Sequence, residues 1–410
     1  MAETIETVSR RSFLGGTAAL AVTYGLRASA LTEAWEAPPD STLAYVGTYT
    51  GAPGAGGNGE GIELFEADLR TGRLSRRGVA AQTRNPSWIA VHPSRKYLYA
   101  VNEIADFHGN SGSVTAFAVD VASGELHALN TVSSAGAGPA YVSLDVRGSF
   151  AFVANYAGGS IAVLPIHADG LLGEAVDVHR DRGFAGSTSA ASAIPGSFAI
   201  SGHDNPHAHM IAADLHNNFV LATDLGQDRI YTWRFDRRTG RLTSHSAETF
   251  VTLPSGDGPR HFAFHPNGRW FYSIQEEAST VIFFQYDPSS GSLKAQQTLS
   301  ALPHGFVGTS FASEILVSPN GKTLYAANRL HDTIAVFSIG SEGRLSYVTE
   351  TSTLGDYPAQ CRIDPGGNFL YVCNQRSDNI TSFRIHRETG LLSFMGQYTP
   401  VGSPGNITFL

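Results

Sequence analysis

From residue 42 onward the chain repeats one unit, and that repeat constrains the fold more than any other feature. Three copies show it most fully. Pro259 opens PRHFAFHPNGRWFYSIQEEASTVIFFQYDPSSGSL, Ala312 opens ASEILVSPNGKTLYAANRLHDTIAVFSIGSEGRL and Pro358 opens PAQCRIDPGGNFLYVCNQRSDNITSFRIHRETGLL. Earlier copies begin at Pro86, Pro139 and Pro206. Each contains four β-branched or aromatic runs of strand length, separated by Pro-x-Gly and Thr-Gly-x-Leu turns. A lone four-stranded sheet cannot bury both faces, so such units stack around an axis. The first copy lacks its opening strand and begins at Leu43–Tyr49. The C-terminus, Asn406–Leu410, is expected to supply that strand. Residues 42–410 therefore read as an all-β, seven-bladed β-propeller whose first blade is closed by the C-terminal strand.

The segment before the repeat has a different character. Ser9-Arg10-Arg11-Ser12-Phe13-Leu14 precedes a short apolar run to Leu26, and Ala28-Ser29-Ala30 offers a cleavage site. This pattern predicts a twin-arginine signal peptide over 1–30, a linker over 31–41, export through the corresponding machinery, and a periplasmic or secreted protein. The apolar run is shorter than the roughly 20 residues that span a bilayer, so no membrane contact is expected after cleavage. A net charge of −8 gives no electrostatic support for nucleic-acid binding. Two cysteines, Cys361 and Cys373, provide no disulfide framework.

Antiparallel strands A to D place the B–C and D–A connections of every blade on one face. The long segments 51–61, 104–112, 180–205 and 303–311 all fall there, whereas the A–B and C–D turns are short. Long loops gathered on one face predict a covered site beneath them. Polar residues converge on the same face: His207, His209, Arg260 and His261 at the starts of A strands, and Glu103, Tyr156, Asp224, Glu276, Arg329 and Gln375 at the ends of B strands. The asparagines at those ends, Asn102, Asn155, Asn328 and Asn374, read as turn ties. His92 and His265, in His-Pro turns of the opposite face, read as structural. His207 and His209, two apart, are expected to face the same way in a strand, but no third ligand accompanies them and no metal is expected. The glycines at 51–61 lack a P-loop lysine, so no nucleotide cofactor is expected either. Two arginines with a His or Glu base suit an anionic or carbonyl substrate.

Gly258-Pro-Arg-His261, His265-Pro-Asn-Gly268, Glu276, Leu324-Tyr-Ala-Ala-Asn-Arg329, Pro206-His-Ala-His209 and Thr223-Asp-Leu-Gly-Gln-Asp228 together resemble the seven-bladed propeller lactonase family. That family includes propeller-type 6-phosphogluconolactonase and carboxy-cis,cis-muconate cyclase. The resemblance implies a lactone hydrolase acting on a sugar-acid lactone without a cofactor. It implies a catalytic set of His207 (with His209 as rival), Arg260, Glu276 and Arg329. His209, His261, Asp224, Glu103, Tyr156 and Gln375 would then contact the lactone or carboxylate substrate. Gln275 stands where the family has Asn, and Ala359 where many relatives have Arg. A muconate-type cycloisomerase and a non-catalytic ligand-binding propeller remain the alternatives.

Overall fold

The structure is a computed structural model and describes residues 40–410 apart from 52–55, 184, 200–201 and 245–248. The expected signal peptide and nearly all of the linker lie outside these residues. Every regular element among the described residues is a β-strand, and no helix there is long and apolar enough to cross a membrane.

The strands form seven antiparallel sheets, each in the order A-B-C-D. In blade four the outer strand comes in two pieces, Leu242–Thr243 and Phe250–Thr252, both paired with strand C, Arg229–Phe235. Blade one joins the two ends of the repeat region as expected. Strand A is Pro404–Phe409 and strand B is Ser41–Thr48, with Tyr45 opposite Thr408 and Val46 opposite Ile407.

Seven apolar clusters fill the seams between neighbouring blades. The closing seam packs Ala44, Val46 and Phe65 of blade one against Phe369, Tyr371 and Cys373 of blade seven. A tyrosine near the middle of strand B ties several seams. The hydroxyls of Tyr45, Tyr99, Tyr272 and Tyr325 donate to the carbonyls of Gly124, Gly170, Gly343 and Gly390, each in the C–D turn of the next blade. Those turn glycines have φ near +80°, which disfavours any residue with a Cβ. Burying each such ring is worth ~1.5–3 kcal/mol and its hydrogen bond ~1 kcal/mol. Cys361 and Cys373 are free, buried thiols that belong to different seams.

On the face of short turns, His92 and His265 each bond a glycine carbonyl of the next blade, Gly148 and Gly321, in the structural role expected. On the opposite face the segment expected as a loop over 104–112 is instead largely hairpin. Strand B of blade two runs to Phe107 and pairs with Ser111, which leaves only a tight turn. The polar alternation in that stretch is too weak to show in sequence. The 180–205 segment is irregular after Arg180 and is pinned across blades four to six. The amides of Gly186, Ala191, Ser192 and Gly202 donate to Gly226, Ser255, Asp257 and Glu277, and Ser197 accepts from Ser310.

Candidate active site

Two local features aim side chains into the mouth of the central channel. The first is a β-bulge at the start of the A strands. The register slips between Pro139 and Tyr141, Ala208 and Met210, Pro259 and His261, and Pro358 and Gln360. The extra residues are Ala140, His209, Arg260 and Ala359. A bulge turns its extra side chain away from the regular alternation, and all four line one cavity of about 430 Å³. The second is the residue that follows Thr48, Asn102, Asn155, Gln275, Asn328 and Asn374 near the ends of the B strands. Tyr49, Glu103, Tyr156, Glu276, Arg329 and Gln375 occupy this position in six blades, and all six line the same cavity. Their register is fixed by the backbone: the amides of Glu103, Tyr156, Glu276 and Gln375 donate to the carbonyls of Asn85, Gly138, Gly258 and Tyr357. The preceding asparagines tie the outer strands as expected; Asn155, for example, donates to Ser134 and Asn328 to Ala301.

Charge is concentrated on one wall. Glu276 Oε2 lies 2.9 Å from Arg260 Nε and 2.6 Å from Arg329 Nη2. Both arginines are buried; Arg260 reaches from blade five into blade six, which carries Arg329. There a wider bulge between Ala312 and Ile315 frees backbone carbonyls: Arg260 Nη1 donates to Ser313 O at 2.7 Å and Arg329 Nη2 to Ala312 O at 3.0 Å. Burial and the neighbouring Arg329 pull the Arg260 pKa below its ordinary value. Burial also opposes the charge on Arg329, but Glu276 together with Tyr357 and Tyr156 outweighs it and the net shift is upward.

His209 projects beside them. Burial, then Arg260, His261 and Arg329, push its imidazole well below its ordinary pKa, so it is neutral at pH 7. Its Nδ1 is buried and has no hydrogen-bond partner among the described residues. Across the cavity, Tyr49 Oη donates to Glu103 Oε2 at 3.0 Å. Burial raises the Glu103 pKa, against the opposing effects of Ser87, Tyr49 and Arg260. The floor is Trp88, whose ring meets Tyr141 at 4.4 Å and His261 at 5.2 Å.

The channel opens again on the short-turn face, in a cavity of about 450 Å³ that shares Trp88 as its wall. There Arg95 is bonded to the Leu410 carbonyl, and no comparable set of charges converges. The candidate site is therefore the cavity on the long-loop face.

The family model described as "Lactonase, 7-bladed beta-propeller" matches residues 43–409. The chain belongs to this lactonase family. A Bacillus subtilis 6-phosphogluconolactonase is 34% identical over 369 residues, covering 90% of this chain and 98% of the relative. A Formosa agariphila 6-phosphogluconolactonase is 31% identical, covering 77% of this chain and 84% of its own. The crystal structure of a Pseudomonas aeruginosa periplasmic gluconolactonase is 30% identical with a TM-score of 0.78, covering 90% and 99% of the two chains.

In this lactonase-family chain the expected site residues divide into two groups. Arg260, Glu276, Arg329, His209, Glu103, Tyr156 and Gln375 meet at the cavity. His207, Asp224 and His261 lie outside its lining. His207 precedes the strand, and the bulge moves His209 alone into the cavity, so the two histidines do not share a face. His207 stacks on Tyr156 with centroids 4.3 Å apart, and its ring nitrogens are engaged by Tyr156 O at 2.9 Å and Asp204 Oδ1 at 2.8 Å. Asp224 accepts from the amides of His207 and Gln227 and so holds the turn. His261 lies deeper in the channel, paired with Glu314 at 3.1 Å. Among the described residues no cluster of ligating side chains suits a metal ion.

Sequence reasoning passes over Tyr49, Trp88, Tyr357 and Arg376, which also line the cavity. Tyr357 holds φ at +63°, at the place before Pro where blades three and five have Gly138 and Gly258. A left-handed tyrosine is strained by ~1–2 kcal/mol. Its ring lies 5.0 Å from the Arg329 guanidinium and 3.8 Å from that of Arg376, and its hydroxyl accepts from Arg329 at 3.2 Å. A Tyr-Pro pair standing where its sister repeats have Gly-Pro is the signal that could have revealed it.

Behind the cavity wall, His203 is fully buried between Glu277 Oε2 at 2.6 Å and Asp228 Oδ1 at 3.1 Å. Glu277 also accepts from Gly202, and Asp228 from Gly256 and Gly258. This cluster clamps the 180–205 segment to the turns that carry Arg260 and Glu276.

Proposed function

We propose that this protein hydrolyses a sugar-acid lactone in the cavity at the long-loop mouth of the channel. The observation that carries the reading is the pair of buried guanidiniums sharing Glu276 Oε2, beside the unpartnered Nδ1 of a neutral His209. Ester hydrolysis needs a charged group where the carbonyl oxygen turns negative and a base for the attacking water. Arg260 and Arg329 supply the charge, and His209 accepts the proton from water. Glu276, already bridging both arginines, fixes their separation. His207 positions Tyr156 rather than meeting the substrate. The volume suits a single sugar ring better than a macromolecule. The names of the relatives, 6-phosphogluconolactonase and gluconolactonase, support the same substrate class.

The twin-arginine motif and the likeness to a periplasmic gluconolactonase support export and an unphosphorylated aldonolactone as substrate. The test is pH-stat hydrolysis of glucono-δ-lactone, galactonolactone and 6-phosphogluconolactone by residues 31–410, each corrected for its spontaneous rate. Acceleration of one lactone, lost in Arg260→Ala, supports the reading; no acceleration of any refutes it. Fractionation of cells producing the full chain, with and without Arg10→Lys and Arg11→Lys, tests export.

A further inference from the structure

Ester cleavage has a second demand that the charged wall does not meet. The ring oxygen leaves as an alkoxide unless a proton reaches it, and the guanidiniums, which stay protonated, do not supply one. The opposite wall has a candidate. Glu103 and Glu276 occupy the same repeat position in blades two and five, so they stand about 150° apart around a seven-fold axis. A substrate between them has Arg260, Glu276 and Arg329 on one side and Glu103 with Tyr49 on the other.

The two glutamates have opposite surroundings. Glu276 is neutralised by two guanidiniums at ion-pair distance. Glu103 has no ion-pair partner among the described residues. The only charged side chain acting on it is Arg260, which is itself committed to Glu276. Tyr49 Oη donates to Glu103 Oε2, Ser87 also bonds the carboxyl, and the residue lines the cavity. The backbone around it is rigid: Asn85 accepts from the Glu103 amide, donates to the Glu103 carbonyl at 3.2 Å, and receives the Thr50 amide at 2.9 Å.

We propose that Glu103 is the general acid of this site and protonates the ring oxygen of the lactone as its C–O bond breaks. This assignment rests on the hydrolase reading. The water oxygen bonds to the carbonyl carbon, and the water proton passes to His209. The electron pair of the breaking C–O bond goes to the ring oxygen, which takes the Glu103 proton. The product is an open-chain hydroxy acid. The proton on His209 and the charge on Glu103 offset each other until exchange with solvent restores both groups. Burial pushes the Glu103 carboxyl toward its protonated form and the His209 imidazole toward its unprotonated form, the directions a bifunctional acid–base step requires. The groups that face Glu103 and set its titration are Tyr49, Ser87 and Arg260.

The test compares Glu103→Gln with wild type on two lactones. Glucono-δ-lactone leaves as a basic alkoxide; dihydrocoumarin leaves as a phenoxide that needs little protonation. The expected result is a fall in kcat of about 100-fold or more on the first and a small change on the second. The alkaline limb of the pH profile should disappear in Glu103→Gln, and Tyr49→Phe, which removes the hydrogen bond to the carboxylate, should move it to higher pH. Infrared difference spectra taken across that limb should show a protonated carboxyl in wild type, on its acid side, that is missing from Glu103→Gln. Equal losses on both lactones, or no such band, would overturn the assignment and leave the hydrolase reading standing. A wild type inert on both lactones would remove the hydrolase reading and this role together.

Discussion

Replacing Glu276 with Gln tests the charged wall most directly. The substitution keeps the shape and one acceptor oxygen but leaves two buried guanidiniums without their shared anion. Removing one partner from a buried ion pair costs about 3–5 kcal/mol. The lower end applies here, because the cavity is open to water and each arginine keeps a backbone carbonyl, Ser313 O or Ala312 O. At about 3 kcal/mol, and with roughly 1–2 °C per kcal/mol for a domain this large, the melting temperature should fall by about 5 °C. The effect on catalysis should be larger. Arg260 and Arg329, repelling each other, move off the position of the developing oxyanion, and loss of such a contact lowers kcat by about 100- to 1,000-fold. Differential scanning calorimetry and pH-stat kinetics on the preferred lactone measure the two effects. Glu276→Asp, which keeps the charge but shortens the reach, should recover more of the stability than of the rate. A Gln variant with an unchanged melting temperature and kcat/KM within about threefold of wild type would show that Glu276 does not hold the arginines for catalysis.

Three further outcomes follow from the same geometry. Burial opposes the charge on His203, but hydrogen bonds to Asp228 and Glu277 outweigh it and raise its pKa to about 9. A raised folded pKa gives stability that is complete below the unfolded value of about 6.5 and is lost as pH rises through about 9. Amide exchange at Gly202, Gly256 and Gly258 should therefore quicken between pH 7 and 9.5 beyond its intrinsic increase, and a flat ratio to intrinsic rates would refute the clamp. Truncation after Val401 removes the inner strand of blade one and exposes both its partner edge and the seam around Ile407; the product should be insoluble or lack a cooperative melt, and a soluble, cooperatively melting product would contradict ring closure. Arg376 stands exposed at the rim above Tyr357, so Arg376→Ala should raise KM about tenfold, ~1.4 kcal/mol, for a lactone carrying a distal carboxylate or phosphate and leave a neutral lactone unchanged; equal changes on both would exclude a charge-reading role.

The repeat made the architecture legible because every blade states the same four strands and turns, and the missing first strand pointed to the C-terminus. The ends of the B strands were legible for the same reason, and Glu103, Tyr156, Glu276, Arg329 and Gln375 all reach the cavity. Tyr49 occupies that same position in blade one, where the repeat is split between chain ends and carries no such signal. The choice between His207 and His209 was not legible. It depends on a bulge, a one-residue slip in pairing that leaves strict alternation intact on paper while moving one side chain to the channel. Tyr357 and Arg376 belong to no motif, and their role appears only when the two guanidiniums are seen around one strained ring.

A ring of equivalent positions also explains how so symmetric a fold holds so asymmetric a site. The backbone presents the same bulge and the same strand end in blade after blade, so side-chain identity alone decides the field across the mouth. Blades five to seven place Arg260, Arg329 and Arg376 there, while blades one to three place Tyr49, Glu103 and Tyr156. The cavity is therefore cationic on one wall and able to give protons on the other. A lactone has the matching polarity within one ester group: a carbonyl oxygen that becomes negative and, one bond from the same carbon, a ring oxygen that must be protonated to leave. A substrate turned end for end would present its ring oxygen to the guanidiniums and its carbonyl to the acid, so the developing oxyanion would lose its fixed charges and the leaving oxygen its proton donor. With the proposed roles, the division of charge between the two walls selects the binding orientation as well as the reaction, and it requires no departure from the repeat beyond the choice of residue at a few positions.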